Sequence, residues 1–432
     1  MEPITRAVID VPALIHNLRQ IRALVGADVQ IAPCVKADGY GHGLAIAARA
    51  AVAGGAEMLC VAQLEEAAAV RGLGLAVPIL VFSPPVRGRA DGYVRHDCRA
   101  TVVDTDSARL IAFAARAAGV PIRVHVKVDT GMGRLGALPR QAFKLIRALQ
   151  RVRHVDVEGI YTHFATADGD DLSFARLQLR RFRRLLGRLD HAGVRPRIVH
   201  AANSAATIDL PASHFDMVRP GLAFYGCLGH PRWGRKVSLR PAMRVVSRVA
   251  SVKWLPPGHR VGYGLTYRCP SRTRVAMVPL GYGDGYDRRL SNAAKMQVNG
   301  RLCRVIGRVS MDQVLLDVTA AGEVHLGEEV VVISNRRRDP NSAAAMALRL
   351  GAIPYEITCA LGGRVRRVIE GELPPLAVPE GQPAAEARPV MSEPQDAVIE
   401  RTLRTTLTNR LADPRRESTV SPRRRMAPAV SQ

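Results

Sequence analysis

Two stretches of the 432-residue chain hold residue types that could do chemistry. The first is Val35-Lys36-Ala37-Asp38-Gly39-Tyr40-Gly41-His42-Gly43, at the end of the apolar run QIAPCVKA (30–37). A lysine closing a buried strand is partly desolvated, which disfavours the ammonium form and leaves an amine able to attack an aldehyde. Alone, a strand-end lysine is most often a surface cation. The three glycines that follow within seven residues point instead to backbone held against a ligand or folded into a tight turn. The second stretch pairs Ala202-Asn203-Ser204 with Arg219-Pro220-Gly221-Leu222. Ser204 is expected near a helix N-terminus, where free N–H groups favour an anion, although an ordinary helix cap has the same appearance. A reactive amine beside a phosphate cradle suggests pyridoxal phosphate.

These residues act together only if the fold brings them to one face. Between about residues 11 and 240, short apolar runs alternate with amphipathic stretches. The runs are QIAPCVKA (30–37), MLCVAQ (58–63), PILVFS (78–83), RATVVD (99–104), IRVHVKVD (122–129), VEGIYTHF (157–164), IVHAANS (198–204) and MVRPGLAFYG (217–226). Each reads as a buried strand, and helical spacing, as in SFARLQLRRFRRLLGRL (173–189), separates nearly all of them. Eight strands alternating with helices predict an α/β protein built on a (β/α)8 TIM-type barrel over 11–240, with VPALIHNLRQIRALV (11–25) as an extra helix. In such barrels the strand C-termini form the functional face, and the loops after the seventh and eighth strands commonly hold phosphate. Beyond 240 the pattern becomes strand-like, with turns such as Asn299-Gly300. This predicts a mostly β domain over 241–374, with residues 1–10 assigned to it. Residues 375–432 are rich in Pro, Ala, Ser and mixed charge and predict a disordered tail, with a transient helix at IERTLRTTLTNRL (399–411).

Composition narrows the function classes. The net charge is +24, yet the arginines are spread along the chain and aromatics are only 4% of residues. That is poor material for base stacking, so nucleic acid is not an expected partner. Seven scattered cysteines without a CxxC pair argue against a disulfide framework or a zinc cluster. No signal peptide or membrane span is legible, and a cytoplasmic soluble protein is the default expectation.

The segment VKADGYGHG (35–43) resembles the cofactor-lysine motif of alanine racemases, of the fold type that joins a barrel to a β domain. The resemblance continues in order through VHVKVDTGMGRLG (124–136), VEGIYTHFATAD (157–168), HAANSAATIDLP (200–211), FDMVRPGLAFYG (215–226), VGYGLTY (261–267), GYGDGY (281–286), GRVSMDQ (307–313) and PYEITC (354–359). It implies that Lys36 carries pyridoxal 5'-phosphate as a Schiff base and is one of two acid–base groups. Tyr263 would be the other, reaching the site of the partner subunit in a homodimer. Tyr40, Ser204, Gly221, Leu222 and Tyr355 would hold the phosphate. Arg219 would bond the pyridine nitrogen and His163 would stack on the ring. Arg134 and Met311 would contact the substrate carboxylate, Asp312 and Tyr282 would order the entrance, and Lys127 would be carbamylated to orient Arg134. The implied activity is interconversion of L- and D-alanine, supplying D-alanine for peptidoglycan.

Asp38-Gly39 replaces the Asn-Ala of many relatives, Asp287 a common Pro, and Ser310 a Cys, all expected to be tolerated. Two competing readings keep the cofactor: a racemase of serine or a broader amino-acid set, and a non-catalytic pyridoxal-phosphate binding protein. Barrel proteins of the latter kind lack a second domain with an opposite-face tyrosine, so Tyr263 in VGYGLTY argues against that reading.

Overall fold

The computed structural model describes residues 3–373. The expected tail and its 399–411 helix lie outside the described residues. Strand β1 (Arg6–Asp10) leads into the helix Val11–Val25. Asp10 Oδ1 caps that helix by accepting from Ala13 N at 2.8 Å, Pro12 fits its first turn, and Gly26 ends it at φ 84°. Val11, Leu14, Leu18 and Ile21 recur at helical spacing and are buried.

Eight parallel strands follow: β2 (Gln30–Ile31), β3 (Leu59–Val61), β4 (Ile79–Val81), β5 (Cys98–Val102), β6 (Ile122–Lys127), β7 (Val155–Tyr161), β8 (Ile198–His200) and β9 (Met217–Val218). Their order is β2-β9-β8-β7-β6-β5-β4-β3. The bridge Cys34↔Cys60 joins the two ends into a barrel, through Val35 N to Cys60 O and Cys60 N to Pro33 O, both 2.9 Å. The strands are shorter than the apolar runs that contain them. Around Pro33, extended pairing continues past β2, with Ala32 N and Cys34 N donating to Val218 O and Pro220 O. Pro33 has no N–H to give β3, so the regular ladder breaks there. The paired segment ends at Val35, and Lys36 opens a turn rather than closing a strand.

The second sheet has nine strands, in the order β11-β14-β17-β16-β15-β18-β10-β1-β19. They are β10 (Met243–Arg248), β11 (Ser251–Leu255), β14 (Thr273–Val278), β15 (Lys295–Val298), β16 (Arg301–Val305), β17 (Val314–Asp317), β18 (Glu329–Ile333) and β19 (Arg366–Glu370), together with β1. A small hairpin, β12 (Arg260–Val261) with β13 (Tyr267–Arg268), stands outside it. All pairings in the large sheet are antiparallel except β1 with β19. Asn299 and Gly300 turn β15 into β16 with φ of 52° and 71°, the two positive values that the tight hairpin turn requires. The chain's first strand is thus hydrogen-bonded between β10 and β19, so the start of the chain belongs to this sheet while the next 200 residues build the barrel.

The two sheets meet at the segment that follows Lys36. A Cβ on Gly41 would lie 2.0 Å from Thr358 O, so glycine permits the helix Pro354–Cys359 to pack directly on the lysine turn. Arg367 of β19 fastens the same contact, with Nε to Gly41 O at 2.9 Å and Nη2 to Leu361 O at 2.8 Å.

Candidate active site

The turn after Lys36 is left-handed. Ala37, Asp38, Gly39 and Tyr40 have φ of 52°, 52°, 60° and 52°. L-residues pay roughly 1–2 kcal/mol each in that region, so the three non-glycine residues store several kcal/mol of strain. Hydrogen bonds offset it: Gly39 N to Val35 O (2.9 Å), Gly43 N to Asp38 O (2.8 Å), Leu44 N to Asp38 Oδ1 (2.7 Å) and Ala37 N to Glu66 Oε1 (2.7 Å). Glu66 also takes Ala62 N and Gln63 N on its other oxygen, tying the helix Leu64–Gly72 to the residue beside Lys36. Lys36 itself is half-buried, its Nζ 5.9 Å from the centre of the Phe82 ring.

Tyr40, Ser204, Gly221, Leu222 and Tyr355 are brought together. Ser204 Oγ accepts from Gly221 N (2.9 Å) and Ala223 N (3.2 Å), and the Leu222 backbone hydrogen-bonds the Tyr355 hydroxyl. The Tyr40 and Tyr355 rings meet edge to face at 5.1 Å. A Cβ on Gly221 would lie 2.6 Å from the Tyr40 hydroxyl, so glycine lets the phenol approach the backbone closely there. Burial raises both phenols, which therefore stay protonated donors at neutral pH. The cap of the Ser204–Asp209 helix is Asn203, which accepts from Ala206 N at 3.0 Å, so Ser204 is free of ordinary capping.

Lys36, Lys127, Arg134, His163 and Arg219 share one electrostatic environment. Burial lowers Lys127 to about 8, assisted by Arg134, Arg219 and Lys36. Asp129, next along the chain from Val128, commits its carboxylate to the N–H groups of Gly131, Met132 and Gly133 at 2.8–2.9 Å. The mouth is therefore rich in cations and poor in anions. Arg219 is fully buried and its partners are neutral: His200 Nδ1 (2.6 Å), Thr162 O (2.8 Å), Ala201 O (3.2 Å) and, at 3.4 Å, His163 Nδ1. Burial, then the Arg219 charge, hold His163 well below its ordinary range, so it is neutral.

Tyr263, Tyr282, Met311 and Asp312 stand on the second domain. Among the described residues no hydrogen bond, ion pair or ring contact links them to Lys36. Tyr263 is 72% exposed, Met311 54% and Tyr282 43%. Their loops pack on one another: Tyr282 N donates to Ser310 O, Gly283 N to Met311 O, and a Cβ on Gly264 would meet Arg308 Cζ at 3.3 Å. Arg364 joins Asp312 (2.7 Å) to Asp284 (2.9 Å). Tyr282 also borders a cavity of about 630 Å3 between its loop and the Pro354–Cys359 helix, which Lys36, Ser204 and Arg219 do not line.

Several contributors escape the sequence reading. Glu66 signals itself only as a helix-start acid in QLEE, and Arg367 lies in a strand remote from every motif. Tyr225 stacks on Tyr40 at 4.9 Å and donates to Cys34 O at 2.9 Å, buttressing the lysine turn from below. His125, Glu158 and His200 sit inside the barrel, where the pattern reads as simple strand. Of the three departures, Asp38-Gly39 caps Leu44 N through Asp38 and leaves room for Ala47 at Gly39, where an added methyl would be 2.8 Å from the Ala47 Cβ; Asp287 accepts from Arg289 N; and Ser310 O accepts from Tyr282 N at 3.0 Å.

The architecture defines the class, a (β/α)8 barrel with a separate mostly β domain. Residues 9–229 match the family model for the alanine racemase N-terminal domain, and 242–369 that for the C-terminal domain. The alanine racemase of Symbiobacterium thermophilum is 41% identical over 368 residues, covering 85% of this chain and 97% of that protein. The alanine racemase of Desulforamulus reducens is 42% identical over 375 residues, covering 86% and 100%. Among solved structures, alanine racemase from Streptomyces coelicolor A3(2) superposes with a TM-score of 0.80 at 38% identity, covering 85% of this chain and 98% of that one. The enzyme of Clostridium difficile 630 gives 0.82 at 32%, covering 86% and 96%. This chain belongs to the alanine racemase family, and it is an amino-acid racemase.

The lysine turn imposes a pH signature. His42 is buried, and its Nδ1 lies 3.1 Å from both Gly39 O and Tyr40 O. Burial lowers it from 6.5 to about 4. A histidine whose folded pKa lies below its unfolded value costs stability as pH falls below the unfolded value, because the unfolded chain binds the extra proton. The loss grows from pH 6.5 down to about 4 and reaches about 2 kcal/mol at pH 5. His42→Asn keeps a donor for the carbonyls and removes the titration. The unfolding free energies from urea titration at pH 7 and pH 5 should differ less in this variant, by about 2 kcal/mol; an unchanged difference would show that His42 does not titrate on unfolding.

Proposed function

We propose that this chain interconverts L- and D-alanine with pyridoxal 5'-phosphate held by Lys36, and that D-alanine for peptidoglycan is its cellular product. The observation that carries this reading is the convergence on one barrel mouth of Lys36, Arg219 and the cradle of Tyr40, Ser204, Gly221, Leu222 and Tyr355. The residues fit the cofactor. The hydroxyls of Ser204 and of two protonated phenols, gathered beside the Gly221 and Leu222 backbone, suit a phosphate, and the surplus of cations asks for an anion. When bound, the cofactor supplies an electron sink for charge developing at the substrate α-carbon.

The chain's own groups do the rest. Racemisation removes the α-proton from one face and returns a proton to the other, so two groups on opposite faces are needed. Lys36 Nζ serves one face and Tyr263 of the partner subunit the other. Arg219 would offer a donor to the ring nitrogen without surrendering its proton, since a guanidinium does not deprotonate in proteins. His163, kept neutral, would stack on the cofactor ring. Arg134 and Met311 bind the substrate carboxylate, while the Arg364–Asp312 pair steadies the entrance beside Tyr282.

Racemisation assays with added cofactor test the activity. Alanine should turn over faster than serine or lysine, and Lys36→Ala should lose at least about a thousandfold in rate; a higher rate for serine or lysine overturns the substrate assignment.

The homodimer follows from Tyr263. An opposite-face tyrosine that is 72% exposed and remote from Lys36 is useful only across a subunit boundary. Leu265, Tyr282 and Met311 add exposed apolar surface on the same packed loops, which suits burial against a second copy. Mixing Lys36→Ala with Tyr263→Ala protomers should restore activity toward a quarter of wild type (roughly, for random exchange); no recovery despite subunit exchange rules out shared sites.

Lys127 completes the charge balance. A partly buried amine at about 8, next to Arg134 and without a free carboxylate nearby, is a nucleophile for carbon dioxide. The resulting carbamate would be the missing anion that orients Arg134. Protein equilibrated with 13C-bicarbonate should show a carbamate resonance that disappears in Lys127→Ala; a spectrum identical in the two proteins excludes the modification.

A further inference from the structure

A line of buried polar groups runs through the barrel interior from one end to the other. Glu158 marks the N-terminal end, where Arg99 Nε (3.1 Å) and Arg197 Nη2 (2.9 Å) reach its carboxylate. Its Oε2 lies 3.1 Å from His125 Nε2, His125 Nδ1 lies 2.7 Å from His200 Nε2, and His200 Nδ1 lies 2.6 Å from Arg219 Nη1. Arg219 follows β9 and stands at the mouth. His125 and His200 are fully buried and Glu158 nearly so.

The chemistry at the two ends fixes every proton between them. A guanidinium can only donate, so His200 Nδ1 must accept from Arg219. His200 then carries its proton on Nε2 and donates to His125 Nδ1. His125 in turn carries its proton on Nε2 and donates to Glu158, which as a carboxylate can only accept. Both imidazoles are neutral Nε2–H tautomers, and no other arrangement satisfies all three contacts. Electrostatics agree. Burial lowers His125 and, further, His200, while the His125 hydrogen bond and the nearby arginines outweigh burial to hold Glu158 down at about 2.

Barrel interiors are usually filled by Val, Ile and Leu. A charged relay is a weak source of stability, because desolvation of its ions offsets their attraction. It does confer direction. Among the described residues Arg219 has no carboxylate partner, and without a fixed acceptor its guanidinium could rotate away from the ring position.

We propose that Glu158 and His125 are positioning residues that lock the His200 tautomer and thereby aim Arg219 at the pyridine-nitrogen position. The aim at the cofactor rests on the function proposed above; the tautomer relay stands without it.

Nitrogen-15 NMR of histidine-labelled full-length protein, as isolated and after cofactor removal, reads the tautomers directly. His200, assigned by its absence in His200→Asn, should show an unprotonated Nδ1 and a protonated Nε2 in both states. A charged ring or an Nδ1–H tautomer overturns the relay. His125→Leu strands the His200 donor and should release the tautomer, weakening pyridoxal phosphate binding by about tenfold, as loss of partners that orient a ligand commonly does. His125→Gln should restore both, because its carboxamide oxygen can accept from His200 while its N–H donates to Glu158. A Leu variant that keeps the tautomer and binds cofactor within about twofold of wild type overturns the proposal, as does a Gln variant as impaired as Leu. Should His125→Leu fail to fold, the wild-type spectrum and the Gln variant decide. Failure of the wild-type protein to bind pyridoxal phosphate would sink the cofactor reading and leave the tautomer result intact.

Discussion

Four consecutive residues after Lys36 lie in the left-handed region, a conformation that three of them adopt only under constraint. The constraint is distributed. Glu66 holds the first residue, Asp38 bonds forward to Leu44, Tyr225 packs against Tyr40, and the helix Pro354–Cys359 seats on Gly41. Each of these groups comes from a different element, so the turn exists only when the barrel and the second sheet are assembled. In return, the turn places Tyr40 over the Gly221 backbone directly after it presents Lys36. Strain and site geometry are here one arrangement, the pattern expected where a folded scaffold over-determines a functional backbone.

The charge distribution follows a related logic. The mouth gathers cations with few counterions, while Glu158, a carboxylate of the barrel interior held strongly ionised, sits toward the opposite end of the barrel. A carboxylate paired directly with Arg219 would cancel the charge that the mouth presents. Two neutral imidazoles in between supply a fixed acceptor without adding a local anion. Lys127 and Arg134 face the same shortage, which explains why the proposed carbamate would be stabilising there and unremarkable at the surface.

What the sequence reveals depends on how local each signal is. Lys36 and its glycines are adjacent in the chain, so their chemistry is legible, and eight apolar runs separated by helices are enough to predict the barrel. The extent of each strand is not, because it depends on which N–H groups find partners; Pro33 shows how one missing donor shortens a ladder. The relay is invisible for another reason. Glu158, His125 and His200 lie 33 and 75 residues apart, and a histidine facing a barrel interior looks the same in sequence as one facing solvent. Arg367 meets Gly41 across 326 residues. Contacts of that range are created by topology, and pattern reading has no access to them.

The placement of β1 makes the second sheet more than an accessory. Because β1 pairs with both β10 and β19, the start of the chain is pinned beside β19, the strand that carries Arg367 and follows the helix bearing Tyr355. The barrel's first helix, Val11–Val25, begins at the next residue, so the barrel is anchored to the second sheet at its very start. Displacing the sheet would pull Tyr355 from the cradle and Thr358 from Gly41 together. Meanwhile Tyr263, Tyr282 and Met311 are exposed on the same domain, and among the described residues no hydrogen bond, ion pair or ring contact links them to Lys36. Under the proposed function, one domain closes the phosphate cradle of its own chain from one side while exposing the residues a second copy would need. On that proposal a monomer of this chain would hold a phosphate yet lack the opposite-face acid, and pairing of subunits would be a condition of racemisation rather than an aid to stability.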